Sequence, residues 1–321
     1  MQLKLEVLKL LEESRGQDLS GQALAERFGV SRNAIWKVIR SLKEEGYVIE
    51  AGQNRGYRLS AGNDVLSAVA VAGAIEHRIK GLSLYVHREI DSTNDEAKRL
   101  IADGKKGPLL ILAETQTSGR GRQGKSFYSP ERSGMYMTFA FPSKLPLDSA
   151  VAATTAAAVA VFLAIRDLTG IETEIKWVND LYHRGKKVCG ILTEAISDFE
   201  MGEVQNLIIG VGINVKSAEF PAELAGIAGT LGADNLHRNA LAARIVDRLL
   251  ECLGGLGSGA HLALYRAHSM VIGREIEYTR NGVTEVGDAL DIDEDGWLIV
   301  RGKDGKRILL NSGEITVRTR T

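Results

Sequence analysis

The spacing of apolar residues predicts three short helices at the N-terminus. The first helix ends near Gly16, the second begins at Ser20 and the third begins at Ser31. Serine is a favoured N-cap because its hydroxyl accepts a hydrogen bond from an unpaired amide of the first turn. Two short strand-like segments, residues 47–50 and 56–59, follow and flank a polar loop. The apolar residues of the third helix recur at helical spacing and therefore face inward: Ile35, Val38, Ile39 and Leu42.

Three helices followed by a hairpin are typical of a winged helix-turn-helix domain, which binds DNA. Arg32 and Asn33 lie on the outward face of the third helix, and such side chains can hydrogen-bond base edges in the major groove. The alternative is a small helical domain whose charged face contacts only water. The residues predicted to form or orient a DNA-binding surface are Ser20, Ser31, Arg32, Asn33, Trp36, Lys37, Arg40, Arg55 and Arg58.

From residue 63 onward the pattern mixes helices and strands. A segment of linker composition, residues 60–64, precedes a predicted helix at Leu66 to Ile79. Alternating or buried strands are predicted at residues 82–90, 109–113 and 135–141, and helices at 150–165, 238–253 and 261–270. After Ile272, short strands separated by Asn281-Gly282, Asp295-Gly296 and Asp304-Gly305 predict a small β-barrel, since these pairs favour hairpin turns.

Composition places the chain among ordinary globular proteins. It has 321 residues, 44% of them hydrophobic, and a net charge of −1, which suits two or three domains. Cys189 and Cys252 are too few and too far apart for a disulfide framework or a cysteine-based zinc site, and they are typical of a reducing cytoplasm. The apolar run at 150–165 is shorter than the roughly 20 residues of a membrane span, so we expect no membrane association.

The most distinctive segment is Gln116 to Pro130, which follows the predicted buried strand at 109–113. Its glycines allow backbone amides to approach an anion closely, and its cations supply a charge that the backbone lacks. The sequence therefore predicts an anion-binding loop here. The glycines and cations concerned are Gly119, Arg120, Gly121, Arg122, Gly124 and Lys125.

This segment, called the anion loop below, also matches two nucleotide-binding patterns, G-x-G-x-x-G and G-x-x-x-x-G-K-[ST]. Both patterns require a helix directly after the glycines, because the helix N-terminus binds the phosphates. Residues 127–130 have no helical period, and Pro130 interrupts them. A P-loop, a Rossmann motif and a solvated basic turn therefore remain as less favoured alternatives.

The anion loop resembles the biotin- and adenylate-binding loop of biotin protein ligases, Q-T-x-G-R-G-R-x-G-R-x-W-x-S, with Lys125 and Phe127 in place of Arg and Trp. Lys176 to Asp180 resembles the K-W-P-N-D motif of that family, with Val178 in place of Pro. Further segments resemble family motifs in the same order along the chain: Gly185 to Glu194, Gly210 to Val215, and Ser312-Gly313-Glu314-Ile315. The predicted winged domain is similar to that of repressor-type ligases.

The resemblance implies an α+β protein of three domains. These are a winged helix-turn-helix at 1–62, a central mixed-sheet, class II synthetase-like ligase domain at 63–270 and an SH3-like β-barrel at 271–321. The implied function is that of a cytoplasmic, bifunctional biotin–[acetyl-CoA-carboxylase] ligase and biotin operon repressor. Such a protein uses biotin, ATP and Mg²⁺ to make biotinyl-5′-AMP, biotinylates the biotin carboxyl carrier protein, and binds operator DNA as a homodimer with the adenylate as corepressor.

The resemblance also implies the residues of the site. Those implied in catalysis are Lys187, Arg122 and Asp180, with Asp180 also near the Mg²⁺. Those implied in biotin binding are Ser92, Thr93, Asn94, Gln116, Arg120, Gly121, Arg122 and Lys187. Those implied in ATP or adenylate binding are Gly119, Arg120, Arg122, Lys125, Lys176, Asn179 and Asn214. The rival hypothesis is a DNA-binding regulator that senses a nucleotide or a lipoyl-type ligand without catalysis.

Overall fold

The computed structural model describes residues 2–52, 55–146, 149–198, 202–216, 218–280, 282–313 and 315–318. Their contacts define two compact units. Unit 1 comprises Met1–Glu76 and Asn235–Ala243, and unit 2 comprises His77–Asp234 and Arg244–Thr321. Three predicted turn or motif positions lie outside the described residues: Gln53-Asn54 in the hairpin loop, Asn281 and Glu314.

Unit 1 contains the predicted three helices and hairpin. The elements are α1 (Gln2–Glu13), α2 (Gly21–Phe28), α3 (Arg32–Glu44), β1 (Ile49–Gly52), β2 (Gly56–Leu59) and α4 (Ala68–Ala74). Both predicted N-caps are confirmed: Ser20 accepts from the amides of Gln22 and Ala23, and Ser31 accepts from Ala34. The winged helix-turn-helix is therefore confirmed.

The core of unit 1 is formed by the inward face of α3 against α1 and α2. Ile35, Ile39 and Leu42 are buried, whereas Val38 is partly buried. The hairpin is tied to the start of α2, because Leu19 and Tyr57 exchange two backbone hydrogen bonds of 2.8 Å. A Cβ at Gly56, whose φ is +90°, would overlap the Leu19 carbonyl, so this close approach requires glycine.

The helix predicted at Leu66 to Ile79 is shorter than expected, because α4 ends at Ala74 and Ile75 is extended. Its contacts place it in unit 1, whereas the predicted boundary would assign it to the central domain. The Asn239 side chain accepts from the Ser67 amide, and the buried Arg238 donates to Asp64 over 2.8 Å. The limits 1–62, 63–270 and 271–321 stay a prediction.

Unit 2 is built on a seven-stranded mixed sheet in the order β3-β4-β5-β9-β8-β7-β6. The first pair is parallel and the remaining pairs are antiparallel. The strands are β3 (Ser83–Ile90), β4 (Leu109–Gln116), β5 (Gly134–Pro142), β6 (Glu174–Lys176), β7 (Asp180–His183), β8 (Lys186–Asp198) and β9 (Glu203–Asn214). The α-helices with residues in this unit are α5 (Thr93–Ala102), α6 (Ala150–Thr169), α7 (Arg238–Gly254) and α8 (Ala260–Ala267).

Helix α6 is the predicted apolar helix. On length and hydropathy alone it could cross a membrane, but 67% of its most apolar window is buried in protein. A helix that is apolar on all sides is expected in the core of a large protein. A second sheet follows α8 in the order β13-β12-β11-β10-β14 and is entirely antiparallel. Its strands are β10 (Glu275–Arg280), β11 (Val283–Ile292), β12 (Leu298–Gly302), β13 (Arg307–Leu310) and β14 (Ile315–Val317).

The buried Asp64–Arg238 pair gives a stability prediction. We expect Asp64→Ala to lower the stability of unit 1 by about 3–5 kcal/mol, because removal of one partner leaves a buried charge uncompensated. Glu44→Ala is the matched control. It breaks an exposed pair with Arg40 whose i,i+4 geometry contributes only about 0.3–0.5 kcal/mol. Urea denaturation with hydrogen exchange of α1 to α3 measures both variants, and equal effects would contradict the prediction.

Candidate active site and DNA-binding surface

A first cavity of about 460 Å³ opens between the start of α5, the anion loop and strands β8 and β9. The structure therefore brings together residues that are far apart in sequence. All of the residues implied in biotin binding line it: Ser92, Thr93, Asn94, Gln116, Arg120, Gly121, Arg122 and Lys187. Asn179 also lines this cavity.

A second cavity of about 840 Å³ lies on the other side of Arg122. Lys125 and Lys176, both implied in nucleotide binding, line it together with Asp180. Gly313, Ile315 and Thr316 of the C-terminal sheet complete the wall. The two cavities share Gly121, Arg122, Phe127, Asn179 and Lys187. Molecules that fill both cavities would therefore meet at these residues.

The shared wall holds its polar groups in defined contacts. The Lys187 Nζ lies 2.7 Å from Asp180 Oδ1, and Arg122 Nη1 donates to Asn179 Oδ1 over 3.2 Å. Asn179 is fixed in turn, because its Nδ2 donates to the Ile191 carbonyl over 2.8 Å. The main chain of Lys187 is held by Ile227 O at 2.9 Å and Gly229 N at 2.8 Å. Hydrogen bonds therefore hold the Lys187 backbone on both its N–H and its carbonyl side.

The anion loop contains no helix after its glycines. It makes only a single 3₁₀ turn at Arg122–Gly124, in which Gln123 has a φ of 54°. The loop is closed by its own backbone, because the Gly121 amide donates to Lys125 O over 2.7 Å and the Phe127 amide donates to Gly119 O over 2.8 Å. The P-loop and Rossmann readings are therefore wrong, since both need a helix N-terminus at this point.

Phe127 and Met137 line the first cavity although the sequence did not single them out as binding residues. A Cβ at Gly212 would lie 2.6 Å from the Phe127 ring, so this glycine makes room for the aromatic wall. Gly210 does the same for Asn94, whose amide a Cβ there would overlap. The repeated glycines of the G-x-G-I-N-V segment were the available signal, because glycine inside a strand indicates a close approach.

Two residues implied in nucleotide binding line neither cavity. Gly119 is buried, and a Cβ on it would lie 2.7 Å from Ser129 Oγ, so its glycine is needed for packing. The Asn214 amide donates to Gly229 O over 3.0 Å and so holds the segment that pairs with Lys187. Both residues therefore hold neighbouring segments in place and do not line a cavity.

Arg120 lines the first cavity, but its guanidinium is bound to carboxylates of the protein. Its Nη1 lies 2.5 Å from Asp95 Oδ1 and its Nη2 lies 3.5 Å from Glu194. The hydrogen bond to Asp95 and the charge of Glu194 raise the pKa of Arg120 above its usual range. Arg120 therefore stays charged, and a ligand carboxylate would have to compete with Asp95.

Burial keeps two side chains of unit 2, Cys189 and Tyr265, protonated. Cys189 is fully buried, and burial raises the pKa of its thiol, so it stays protonated and unreactive. Burial and the charge of Asp180 raise the pKa of Tyr265 well above its usual value, so its neutral hydroxyl donates to the Val178 carbonyl over 3.1 Å. These two side chains therefore support the site rather than react in it.

A resident metal ion needs several ligating side chains close together, and the described ranges do not include Glu314. Within those ranges no group of three or more His, Cys, Asp or Glu side chains is placed to hold a metal ion. Asp180 is the carboxylate among the described residues that line the second cavity. This donor set suits a hard cation that arrives with phosphate oxygens and needs one or two carboxylates from the protein.

Most of the predicted DNA-binding residues are exposed side chains of unit 1. Ser31, Arg32, Asn33, Trp36, Lys37 and Arg40 of the cap and α3 are exposed, and so is Arg55 of the hairpin. Ser20 and Ser31 cap α2 and α3 and so orient this face. Arg58 differs, because it donates to both oxygens of Asp18 at 2.9 and 2.8 Å. Its guanidinium is therefore ion-paired with a carboxylate of the protein.

Comparison with known proteins agrees with this geometry. Residues 86–214 match the model of the biotin/lipoate A/B protein ligase family, residues 4–58 match an HTH domain and residues 271–318 match the biotin protein ligase C terminal domain. A solved biotin protein ligase from Aquifex aeolicus, in complex with biotin and ATP, is 26% identical and superposes with a TM-score of 0.62. That match covers 74% of this chain and 99% of the other.

Two curated relatives cover both units. The bifunctional ligase/repressor BirA of Escherichia coli (strain K12) is 29% identical over 98% of this chain and 97% of its own length. The bifunctional ligase/repressor BirA of Bacillus subtilis (strain 168) is 32% identical over 94% of this chain and 95% of its own length. With a winged domain, a ligase domain and a C-terminal domain matched in order, this chain belongs to the BirA family of bifunctional ligase/repressors.

Proposed function

We propose that this biotin–[acetyl-CoA-carboxylase] ligase and DNA-binding repressor binds biotin in the first cavity and ATP in the second. The observation that carries the proposal is the wall shared by both cavities, where Arg122, Asn179 and Lys187 converge. The biotin carboxylate and the α-phosphate of ATP would meet there. The uncharged bicyclic ring of biotin would lie at the far end, against Ser92, Thr93 and Gln116.

In the first step a carboxylate oxygen of biotin attacks the α-phosphorus. The bond from that phosphorus to the β-phosphate oxygen breaks, and pyrophosphate leaves with biotinyl-5′-AMP as product. Two anions must approach, so Arg122 and Lys187 stabilise the charge that develops at the shared wall. Lys125 and Lys176 bind the phosphates farther along the second cavity.

We include Mg²⁺ with the nucleotide in this proposal. When bound, the ion supplies charge neutralisation at the phosphate oxygens. Asp180 is the described carboxylate that would hold it, and its pairing with Lys187 places both groups at one point of the wall. The side chain of Lys187 meanwhile orients the reacting carboxylate.

In the second step a lysine amine of the carrier protein attacks the biotinyl carbonyl carbon. The bond to the AMP oxygen breaks, AMP leaves and the amine loses a proton. Asp180 is the group proposed to orient the amine or accept that proton, because it lines the second cavity and its carboxylate contacts Lys187 of the shared wall. The biotin carboxyl carrier protein of acetyl-CoA carboxylase is the proposed acceptor.

Unit 1 supplies the second activity. Arg32 and Asn33 would contact bases of an operator, while Lys37, Arg40 and Arg55 would contact phosphates. We further propose that repression uses a cytoplasmic homodimer, because two copies of the winged domain can read two half-sites. Biotinyl-5′-AMP would act as corepressor if its binding favours the dimer, which is a linkage between ligand and assembly.

The first test is Lys187→Ala. We expect adenylate formation to fall by at least about a hundredfold, because one charge-stabilising donor of this kind contributes a factor of about 10²–10³. Biotin-dependent pyrophosphate release measures the step. Lys186→Ala is the matched control on the same strand, since the Lys186 Nζ donates away from the cavities to Ala225 O. Equal rates in the two variants would remove Lys187 from the reaction, and a wild-type protein that releases no pyrophosphate would favour a non-catalytic regulator.

The second test is Arg122→Gly. We expect the variant to make the adenylate but to release it early, because the guanidinium that spans both cavities is missing. Released biotinyl-5′-AMP biotinylates bystander lysines, which mass spectrometry of added serum albumin detects. Arg132→Gly is the control, because Arg132 is an exposed arginine that lines neither cavity. Bystander labelling no greater than in the control would contradict this role.

The third test concerns DNA binding. We expect Arg32→Ala to relax sequence preference, at a cost of about 1–3 kcal/mol on the preferred site, because a bidentate base contact is lost. Lys37→Ala should weaken all sequences alike and reduce the salt dependence of the binding constant. Lys9→Ala on α1 is the control. Fluorescence anisotropy on promoter DNA of the biotin synthesis genes and on shuffled DNA separates these outcomes, and no change in either α3 variant would make unit 1 an interaction module.

A further inference from the structure

A chain of buried polar side chains lies next to the residues that line the first cavity, and it includes Thr138 and Ser129. Thr138 on β5 is completely buried, and Ser129 at the end of the anion loop is 4% exposed. Neither lines the cavity. A buried hydroxyl costs free energy unless it is hydrogen-bonded, so the partners of these two residues show what they hold in place.

Glu194 and Thr138 together fix the orientation of Asn94. The Asn94 Nδ2 donates to Glu194 Oε2 over 2.9 Å, and an ionised carboxylate can only accept. The amide nitrogen must therefore face Glu194 and the amide oxygen must face β5. There the Thr138 Oγ1 lies 2.6 Å from Asn94 Oδ1 and 2.8 Å from Thr93 Oγ1. Because the amide oxygen carries no proton, Thr138 donates its single proton to Asn94, and Thr93 must act as donor in its contact with Thr138.

Ser129 fixes the orientation of Gln116 in the same way. The Ser129 hydroxyl donates to the Phe127 carbonyl over 2.9 Å, so its oxygen accepts from Gln116 Nε2 over 3.0 Å. The Gln116 Oε1 then faces α5, where it accepts from the Thr93 amide over 2.9 Å and lies 3.2 Å from the Thr93 hydroxyl. One network therefore runs from Glu194 through Asn94, Thr138, Thr93, Gln116 and Ser129 to a backbone carbonyl.

We infer that Thr138 and Ser129 are positioning residues for biotin recognition. They determine which atoms of Asn94, Thr93 and Gln116 the cavity presents, and the inference rests on the proposed function in which biotin occupies that cavity. The ureido group of biotin offers one carbonyl acceptor and two N–H donors at fixed positions. A flipped amide in the cavity floor would place a donor against a donor, so the orientation of each amide decides whether the ring binds.

Thr138→Val tests the inference, because valine keeps the branched shape and removes the hydroxyl. We expect biotin to bind the full-length protein about tenfold more weakly or worse, which corresponds to about 1.4 kcal/mol. The KM for ATP and the kcat at saturating biotin should not change. Thr138→Ser should stay near the wild-type affinity, because it keeps the donor. Thr155→Val is the matched control, since Thr155 is an equally buried threonine on α6 that lines neither cavity.

Isothermal titration calorimetry with biotin gives the Kd, and thermal unfolding reports stability separately. A Thr138→Val protein that is less stable but binds biotin like wild type would overturn the inference, as would equal weakening in the Val and Ser variants. If Thr138→Val does not fold, Ser129→Ala replaces it, with Ser133→Ala as its neighbour control. A wild-type protein that binds no biotin would contradict the proposed function itself, which separates the two failures.

Discussion

Repulsion between two anions is the constraint on which the arrangement of unit 2 depends. A carboxylate and a phosphate must come into contact before they can react, and in a cavity of low dielectric their repulsion is large. Cations from separate elements lie at the wall that the two cavities share. Arg122 comes from the anion loop, which its own backbone hydrogen bonds close, and Lys187 comes from β8 of the seven-stranded sheet. Donors that point at the position where charge develops stabilise that charge in the transition state, which is the basis of electrostatic catalysis.

Glycine makes this density of groups possible. The Phe127 ring occupies the space that a side chain at Gly212 would need, and Asn94 occupies the space above Gly210. Strand β9, the central strand of the sheet, therefore carries no side chain at Gly210 and Gly212, and side chains of other elements fill that space. In the proposed site, the strands hold the residues in position, the anion loop contributes positive charge, and the start of α5 contributes hydrogen-bonding groups. The C-terminal sheet closes the second cavity with Gly313, Ile315 and Thr316.

Local patterns in the sequence predicted most of the elements, and the resemblance to a family supplied the chemistry expected of the site, but neither showed the partners of each side chain. The caps at Ser20 and Ser31 and the missing helix after Gly124 follow from neighbouring residues, so the sequence predicted them correctly. The pairing of Arg120 with Asp95 depends on how α5 meets the anion loop, and no local pattern encodes that meeting.

Because local patterns do not encode long-range contacts, other predictions also differ from the structure. Gly119 and Asn214 belong to motifs that surround the cavities, and a motif does not show which of its members faces inward. Helix α4 has a short apolar period that could pack against either unit, and its place beside α1 is decided by contacts with residues about 170 positions away, as in the 172-residue separation of Ser67 and Asn239. Long-range packing overrides local propensity in such cases.

The paired state of the cations also bears on which ligands the site accepts. Arg120 is bound to Asp95, Arg122 to Asn179 and Lys187 to Asp180, so an entering anion competes with a partner already present. A ligand gains only the difference between its own contacts and those it displaces, which penalises small anions that bind one cation alone. A molecule with a carboxylate at one end and a ureido group at the other makes favourable contacts at both ends. Together these contacts can offset the ones that the molecule displaces. In the proposed function, selectivity therefore comes from competition between the ligand and these protein partners as well as from the contacts to the ligand.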